Sequence, residues 1–151
     1  MRILTIGTFD LLHEGHEKLF ERCQGLGGEF VIGVNSDYFV TQFKGVETHE
    51  SQTQRLVAAG QYGTVRLHNG DTEQLLLAIE PDIIVVGSDW ARKDYLGQLG
   101  VTQDWLDEHD ISILYVPRTP GVSSTQLREN SLVNVTHSAT TVRQRRLAST
   151  T

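Results

Sequence analysis

The run Asp82-Ile83-Ile84-Val85-Val86, closed by Gly87, is apolar at consecutive positions rather than alternate ones. A strand with one wet face alternates apolar and polar residues; a strand covered on both faces need not. This run therefore needs helices on both sides of its sheet. Three other segments repeat the theme with at most one interruption, Ile3 to Ile6, Phe30 to Val34 and Ile111 to Val116, and Thr64 to Leu67 is a short strand. Helix-patterned stretches separate them. Residues 15 to 25 place Leu19, Phe20 and Cys23 on one face, and Gly25, Gly27 and Gly28 end that helix. Gln52 to Gln61 is a second helix, and Asp71 caps a third that runs to Ile79. Residues 96 to 109 form a fourth helical stretch with a break at Gly100, and Ser123 or Ser124 starts a short last one. Asn35-Ser36-Asp37 reads as a turn or helix cap, and residues 41 to 50 as polar and irregular. Strictly alternating strands and helices predict an α/β domain, a Rossmann-like doubly wound sheet of about five parallel strands flanked by helices.

In such sheets ligands bind at the carboxyl ends of the strands. Three loops with chemistry fall there: Gly7 to His16, Gly87 to Tyr95 and Pro117 to Arg128. The first holds two histidines, His13 and His16, three apart at the start of a helix. Three readings compete: a metal pair, a buried pair, or a phosphate site. A third metal ligand sits at no recognisable spacing. A helix start offers unpaired N–H groups and a positive dipole end, which attract phosphate. Gly7 lets the chain turn, Gly15 permits close backbone approach, and both rings can point to one side and donate N–H. Ser123-Ser124-Thr125, ahead of Arg128, opens a second helix; alone it reads as an N-cap, and its hydroxyls also suit phosphate oxygens.

Bulk properties narrow the function classes. The 151 residues are 38% hydrophobic and 21% charged, which suits one soluble domain with a core of its own. The net charge of −6 argues against nucleic acid as a partner. No run of about 18 apolar residues exists to span a membrane. The single cysteine, Cys23, rules out an internal disulfide and a thiolate zinc site. With no secretory leader pattern at Met1-Arg2-Ile3-Leu4, a cytoplasmic location is the expectation. The domain is expected to cover residues 1–130. Residues 131–151 form a Ser/Thr-rich basic tail of charge +3, flexible or docked in an oligomer, leaving −9 on the rest. Asn134-Val135-Thr136 matches a glycosylation acceptor by chance in that setting.

The full string Gly7-Thr8-Phe9-Asp10-Leu11-Leu12-His13-Glu14-Gly15-His16, with Val122-Ser123-Ser124-Thr125-Gln126-Leu127-Arg128 more than 100 residues later, resembles the paired signature of the cytidylyltransferase-like nucleotidyltransferase superfamily. Gly87-Ser88-Asp89-Trp90 and Pro117-Arg118-Thr119-Pro120-Gly121 look closest to the glycerol-3-phosphate cytidylyltransferases. The resemblance implies transfer of a nucleotidyl group from a nucleoside triphosphate, with CTP foremost, to a small phosphorylated alcohol such as glycerol 3-phosphate. It implies His13, His16, Lys44 and Arg128 in catalysis. It implies nucleotide contacts from Gly7, Thr8, Phe9, Asp10, Gly15, Asp89, Trp90, Arg118, Thr119, Ser123, Ser124 and Thr125. Arg55 and Lys44 become acceptor candidates, though for each alone a solvated surface charge is the more common fate. Asp10 is placed near the triphosphate, through Mg2+ or as a cap or loop hydrogen-bond acceptor, and Trp90 stacks or simply packs. A homodimer is carried over with the family. Val34-Asn35-Ser36-Asp37 and Lys44-Gly45 resemble instead the adenylyltransferase domain that acts on heptose 1-phosphate. That keeps an adenylyltransferase for a sugar phosphate open, beside a non-catalytic nucleotide-binding module with the same fold.

Overall fold

The structure is a computed structural model, and it describes residues 1–117. Five parallel strands form one sheet: β1 (Arg2–Gly7), β2 (Glu29–Asn35), β3 (Thr64–His68), β4 (Ile83–Gly87) and β5 (Ser112–Val116), in the order β3-β2-β1-β4-β5. The order reverses at β1, whose neighbours are β2 on one side and β4 on the other. That is where a doubly wound sheet opens a crevice at its carboxyl edge.

The connecting helices are α1 (Glu14–Gly25), α2 (Asp37–Phe39), α3 (Gln52–Ala59), α4 (Thr72–Ile79), α5 (Tyr95–Leu99) and α6 (Gln103–Glu108). They cover both faces, as the apolar strands require. One core joins Phe20 and Cys23 of α1 and Ala59 of α3 to Ile3, Ile32, Val34 and Val85. The other joins Leu76 and Ile79 of α4, Tyr95 and Leu99 of α5 and Leu106 of α6 to Leu4, Val31, Ile84 and Val86. Neighbouring residues such as Ile3 and Leu4, or Ile84 and Val85, thus enter opposite cores. Burial pushes the Cys23 thiol up to about 12, so this cysteine packs rather than reacts.

Local chemistry sets the boundaries. Ser51 and Gln54 exchange backbone hydrogen bonds as a capping box at the start of α3. Asp71, Asp94 and Thr102 cap α4, α5 and α6, each accepting a backbone N–H with its side chain. Gly100 takes a φ of 80° and ends α5, so the expected break in residues 96–109 is real and yields two helices. Two segments depart from the expectation. Residues 88–92 wind into a 3-10 turn, and Val40–Lys44, expected to begin the irregular stretch at residue 41, form a π-helical turn ended by Gly45 at φ 67°.

Among the described residues, no helix is long and apolar enough to cross a membrane. The Ser123 helix start and the 131–151 tail lie outside the described residues.

Candidate active site

A cavity of about 540 Å³ lies over the carboxyl end of β1. Its lining comes from the loop after β1 (Gly7, Thr8, Phe9, Asp10, His13 and His16), from the ends of β2 and β3 (Asn35 and His68) and from the segment after β4 (Gly87, Asp89, Trp90, Lys93 and Tyr95). Two of the three loops singled out by sequence thus meet in one cavity. Arg118, Thr119, Ser123, Ser124, Thr125 and Arg128 lie outside the described residues.

The two histidines build the start of α1. His13 is its N-cap: Gly15 donates its backbone N–H to His13 Nδ1 at 3.0 Å. His13 in turn donates its backbone N–H to His16 Nδ1 at 3.2 Å. This is a capping box made of imidazoles instead of a hydroxyl and a carboxamide. It has a chemical consequence. A ring nitrogen that accepts cannot carry the hydrogen, so each neutral ring is protonated at Nε2. The rings stack at 4.0 Å with 27° between their planes. Burial, and then the neighbouring His13, lower the His16 pKa to about 4, while Asp10 pulls it the other way. Near neutral pH His16 is therefore a neutral donor through Nε2–H. The nitrogen that each neutral ring can offer as a donor is thus Nε2.

The loop that carries them is bent by two residues in the left-handed region, Phe9 at φ 53° and Leu11 at φ 50°. Such geometry persists only when the surroundings impose it. Phe9 is fixed by packing: its ring is buried, edge-on to His16 at 5.7 Å and to Phe20 at 5.1 Å. Here Gly7 serves a purpose other than the turn expected of it. A Cβ on Gly7 would sit 2.8 Å from the Phe9 ring, so the glycine makes room for the phenyl group. Phe9 thus contributes a core side chain beside whatever its backbone offers a ligand.

Asp10 is held from residues 48–51. Its two carboxylate oxygens accept the backbone N–H groups of His49 (2.8 Å) and Glu50 (3.0 Å), and Leu11 returns a backbone N–H to Glu50 Oε1 at 2.8 Å. Of the readings open from sequence, loop hydrogen bonding is the one the structure displays. Each oxygen keeps accepting capacity beyond that one bond, and Asp10 lines the cavity. Among the described residues no three His, Cys, Asp or Glu side chains cluster as a metal centre.

Arg55 of α3 is fully buried and does not line the cavity. Its guanidinium donates to the carbonyls of Thr8 (2.8 Å), Asn35 (2.7 Å) and Glu50 (3.2 Å) and pairs with Asp37 Oδ1 at 2.7 Å. The expected acceptor contact is replaced by a contact with three backbone segments. The reason lies in the fork: four of the five N–H directions of the planar group meet an oxygen of the protein. The backbone N–H of Gln52, and then Arg55, hold the Asp37 carboxyl below its usual range. Lys44 ends the π turn just before Gly45.

Trp90 sits on the 3-10 turn after β4, 5.5 Å from the Tyr95 ring, with Lys93 Nζ 5.2 Å over its own ring. It packs on one side and lines the cavity with the rest. The Tyr95 hydroxyl is buried with no hydrogen-bond partner among the described residues.

Sequence reasoning missed Asn35 and His68 as site residues. Asn35 Nδ2 donates to Thr8 Oγ1 at 3.1 Å, and Asn35 Oδ1 lies 2.8 Å from His68 Nδ1. Both end their strands. A polar residue closing an apolar strand at the carboxyl edge was the signal available.

The family model described as "Cytidylyltransferase-like" matches residues 4–130. The glycerol-3-phosphate cytidylyltransferase of Bacillus spizizenii is 33% identical over 134 residues, covering 85% of this chain and 95% of that protein. The bifunctional protein HldE of Pasteurella multocida is 32% identical over 118 residues, 74% of this chain but only 24% of HldE. Among solved structures, the lipopolysaccharide core biosynthesis protein of Thermoplasma volcanium superposes with a TM-score of 0.56 at 24% identity, covering 76% of this chain and 95% of that one.

Two outcomes test this geometry. Replacing Arg55 with Met removes the guanidinium donors from the carbonyls of Thr8, Asn35 and Glu50, at about 1–3 kcal/mol for each buried acceptor that loses its partner. R55M should lower stability by about 2–4 kcal/mol in urea unfolding, and R55K should recover only part, since a single ammonium cannot serve the fork. The second concerns pH. An unfolded His16 takes up a proton near its ordinary 6.5, whereas the folded one waits until about 4. Its contribution to stability is therefore present above pH 6.5 and lost as pH falls toward 4. Denaturation midpoints measured from pH 7 to 4 should fall more steeply for the wild type than for H16Q.

Proposed function

The chain belongs to the cytidylyltransferase-like family, and from that premise we propose that it transfers CMP from CTP to a small phosphorylated alcohol such as glycerol 3-phosphate, releasing pyrophosphate. The observation that carries the proposal is the pair of Nε2–H donors set by the imidazole capping box at the start of α1, on the wall of a cavity at the switch point of the sheet.

The chemistry is a displacement at phosphorus. An oxygen of the acceptor phosphate forms a bond to the α-phosphorus, and the bond to pyrophosphate breaks. A phosphate monoester needs no strong base, because its second pKa is about 6. What the reaction needs is alignment and stabilisation of charge on oxygen. Neutral His16 donates through Nε2–H to the α-phosphate without giving up its proton, and His13 beside it acts on the oxygen that leaves. The α1 start adds backbone dipoles. Thr8 and Phe9 offer backbone N–H groups, and Asp89 and Trp90 hold the base. Ser123, Ser124, Thr125, Arg128, Arg118 and Thr119 complete the β- and γ-phosphate contacts in this reading, and Lys44 approaches the acceptor. Arg55 acts through the loop it holds.

Mg2+ belongs to the same proposal. A magnesium ion commonly takes one or two protein carboxylates and substrate phosphates. Asp10, with a lone pair left on each oxygen, fits that share. The ion would neutralise charge on the triphosphate. A homodimer and a cytoplasmic location are part of the reading as well.

A second reading is an adenylyltransferase for a sugar phosphate. Similarity to HldE across 74% of this chain favours it, as do Asn35-Ser36-Asp37 and Lys44-Gly45.

Pyrophosphate release with CTP and with ATP, over glycerol 3-phosphate, other polyol phosphates and heptose 1-phosphate, tests both. The proposal expects turnover with CTP and a polyol phosphate, its suppression by EDTA, and a fall in kcat of about 10²–10³-fold in H16A, the usual effect of removing one such donor. Unchanged turnover in H16A would overturn the mechanism. ATP-dependent turnover with the sugar phosphate would select the second reading, and nucleotide binding with no turnover a non-catalytic module.

A further inference from the structure

Of the Lys and Arg side chains among the described residues, Lys93 alone lines the cavity. Arg2 pairs with Glu29 and Lys18 with Glu21, while Arg55 is buried among carbonyls. Arg92, the preceding residue, stays outside the lining. The histidines apart, the other ionisable acids and bases that line the cavity are Asp10, Asp89 and the buried Tyr95. The chain as a whole carries −6. An anion is held in such a surrounding by local positive charge and backbone dipoles, and Lys93 is the full positive charge at hand.

The backbone of Lys93 is anchored on both sides. Its N–H donates to the Trp90 carbonyl at 3.1 Å, and its own carbonyl accepts the Tyr95 N–H at 3.0 Å. It closes the 3-10 turn, and Asp94 beside it caps α5. The Cα thus has a defined place after β4. The ammonium is held far less firmly. It lies 5.2 Å over the Trp90 ring and forms no ion pair among the described residues. A cation–π contact within reach of water is weak, and a phosphate oxygen is a better partner for an ammonium. The flexible four-carbon stem permits the exchange.

We infer that Lys93 is a ligand-binding residue whose ammonium leaves the Trp90 ring to pair with phosphate oxygens of a polyphosphate in the cavity. This rests on the reading of the cavity as a nucleoside triphosphate site. Two consequences attach to the one side chain. Affinity for the polyphosphate depends on the charge at position 93, and the Trp90 indole loses its cation when the phosphates are bound. Arg92 carries the same charge one residue earlier without lining the cavity, so it separates a direct contact from a general effect of charge.

The test measures Kd by calorimetry on the whole chain for inorganic triphosphate, CTP and ATP, each with magnesium. K93M keeps an unbranched side chain against Trp90 and removes the charge; K93R keeps the charge; R92M removes one outside the cavity. K93M should bind all three probes about 10-fold more weakly, the loss of one charged hydrogen bond. Its affinity should also depend less on salt. K93R should recover most of the affinity and R92M should keep it, with urea midpoints alike in all four proteins. The chain has two tryptophans, so W105F leaves Trp90 as the reporter. Saturating inorganic triphosphate, which has no base to stack, should shift Trp90 emission in W105F and leave it unmoved in W105F/K93M. The inference is overturned if K93M binds triphosphate as the wild type does, if K93R or R92M weakens binding as much as K93M, or if Trp90 emission in W105F stays unmoved at saturation. In each of those cases nucleotide binding to the wild type still supports the nucleotide site. If neither CTP, ATP nor triphosphate binds the wild type, both the inference and the nucleotide reading fall.

Discussion

The site depends on one buried cation. Arg55 reaches from α3 into a region where three carbonyls converge, those of Thr8, Asn35 and Glu50, and closes the set with Asp37. These oxygens belong to the loop after β1, the end of β2, the segment before α3 and the start of α2. A planar group with five hydrogens in fixed directions joins them at a common point. The half-exposed Asp37 places the compensating charge where water also reaches it, which reduces the penalty of burying the guanidinium.

Around that anchor, the loop's polarity follows from how it meets α1. A helix start ordinarily satisfies its first N–H groups with Ser, Asp or Asn. Using imidazole for the task engages one nitrogen of each ring and leaves the hydrogen on the other. Structural need and chemical presentation are then met by the same residues, His13 and His16. The edge of Phe9 supports His16 from below, and Gly7 accommodates Phe9, so the donor geometry is transmitted into the α1 core through Phe20.

Much of this was legible in the sequence, for identifiable reasons. The β4 run announced a sheet covered on both faces, and residues 83–87 are buried or nearly so from both sides. Gly100 marked its break because only a residue at ease with positive φ ends a helix that way. His13 and His16 stood out because two rings three apart at a helix start share a side. Arg55 did not, since a charge on a short helix looks solvated when its partners are carbonyls 5 to 47 residues away. Backbone acceptors leave no trace in side-chain pattern. The π turn at Val40–Lys44 was hidden likewise, because its altered register has no local composition. Asn35 and His68 were visible as letters but not as a pair, being 33 residues apart and joined only by the β2–β3 register.

The reciprocal tie between Asp10 and residues 49–50 has a consequence for how such a chain can vary. Surface connections usually absorb insertions and deletions at little cost. Here the connection ahead of α3 is a measured strut: His49 and Glu50 must arrive opposite Asp10 and Leu11 with their N–H groups and carboxylate in step. One residue more or less between Gly45 and Ser51 would shift that alignment and release a bent loop forty positions earlier. The permissible length of this surface segment is thus dictated by a distant bend that it meets through two backbone N–H groups and one carboxylate.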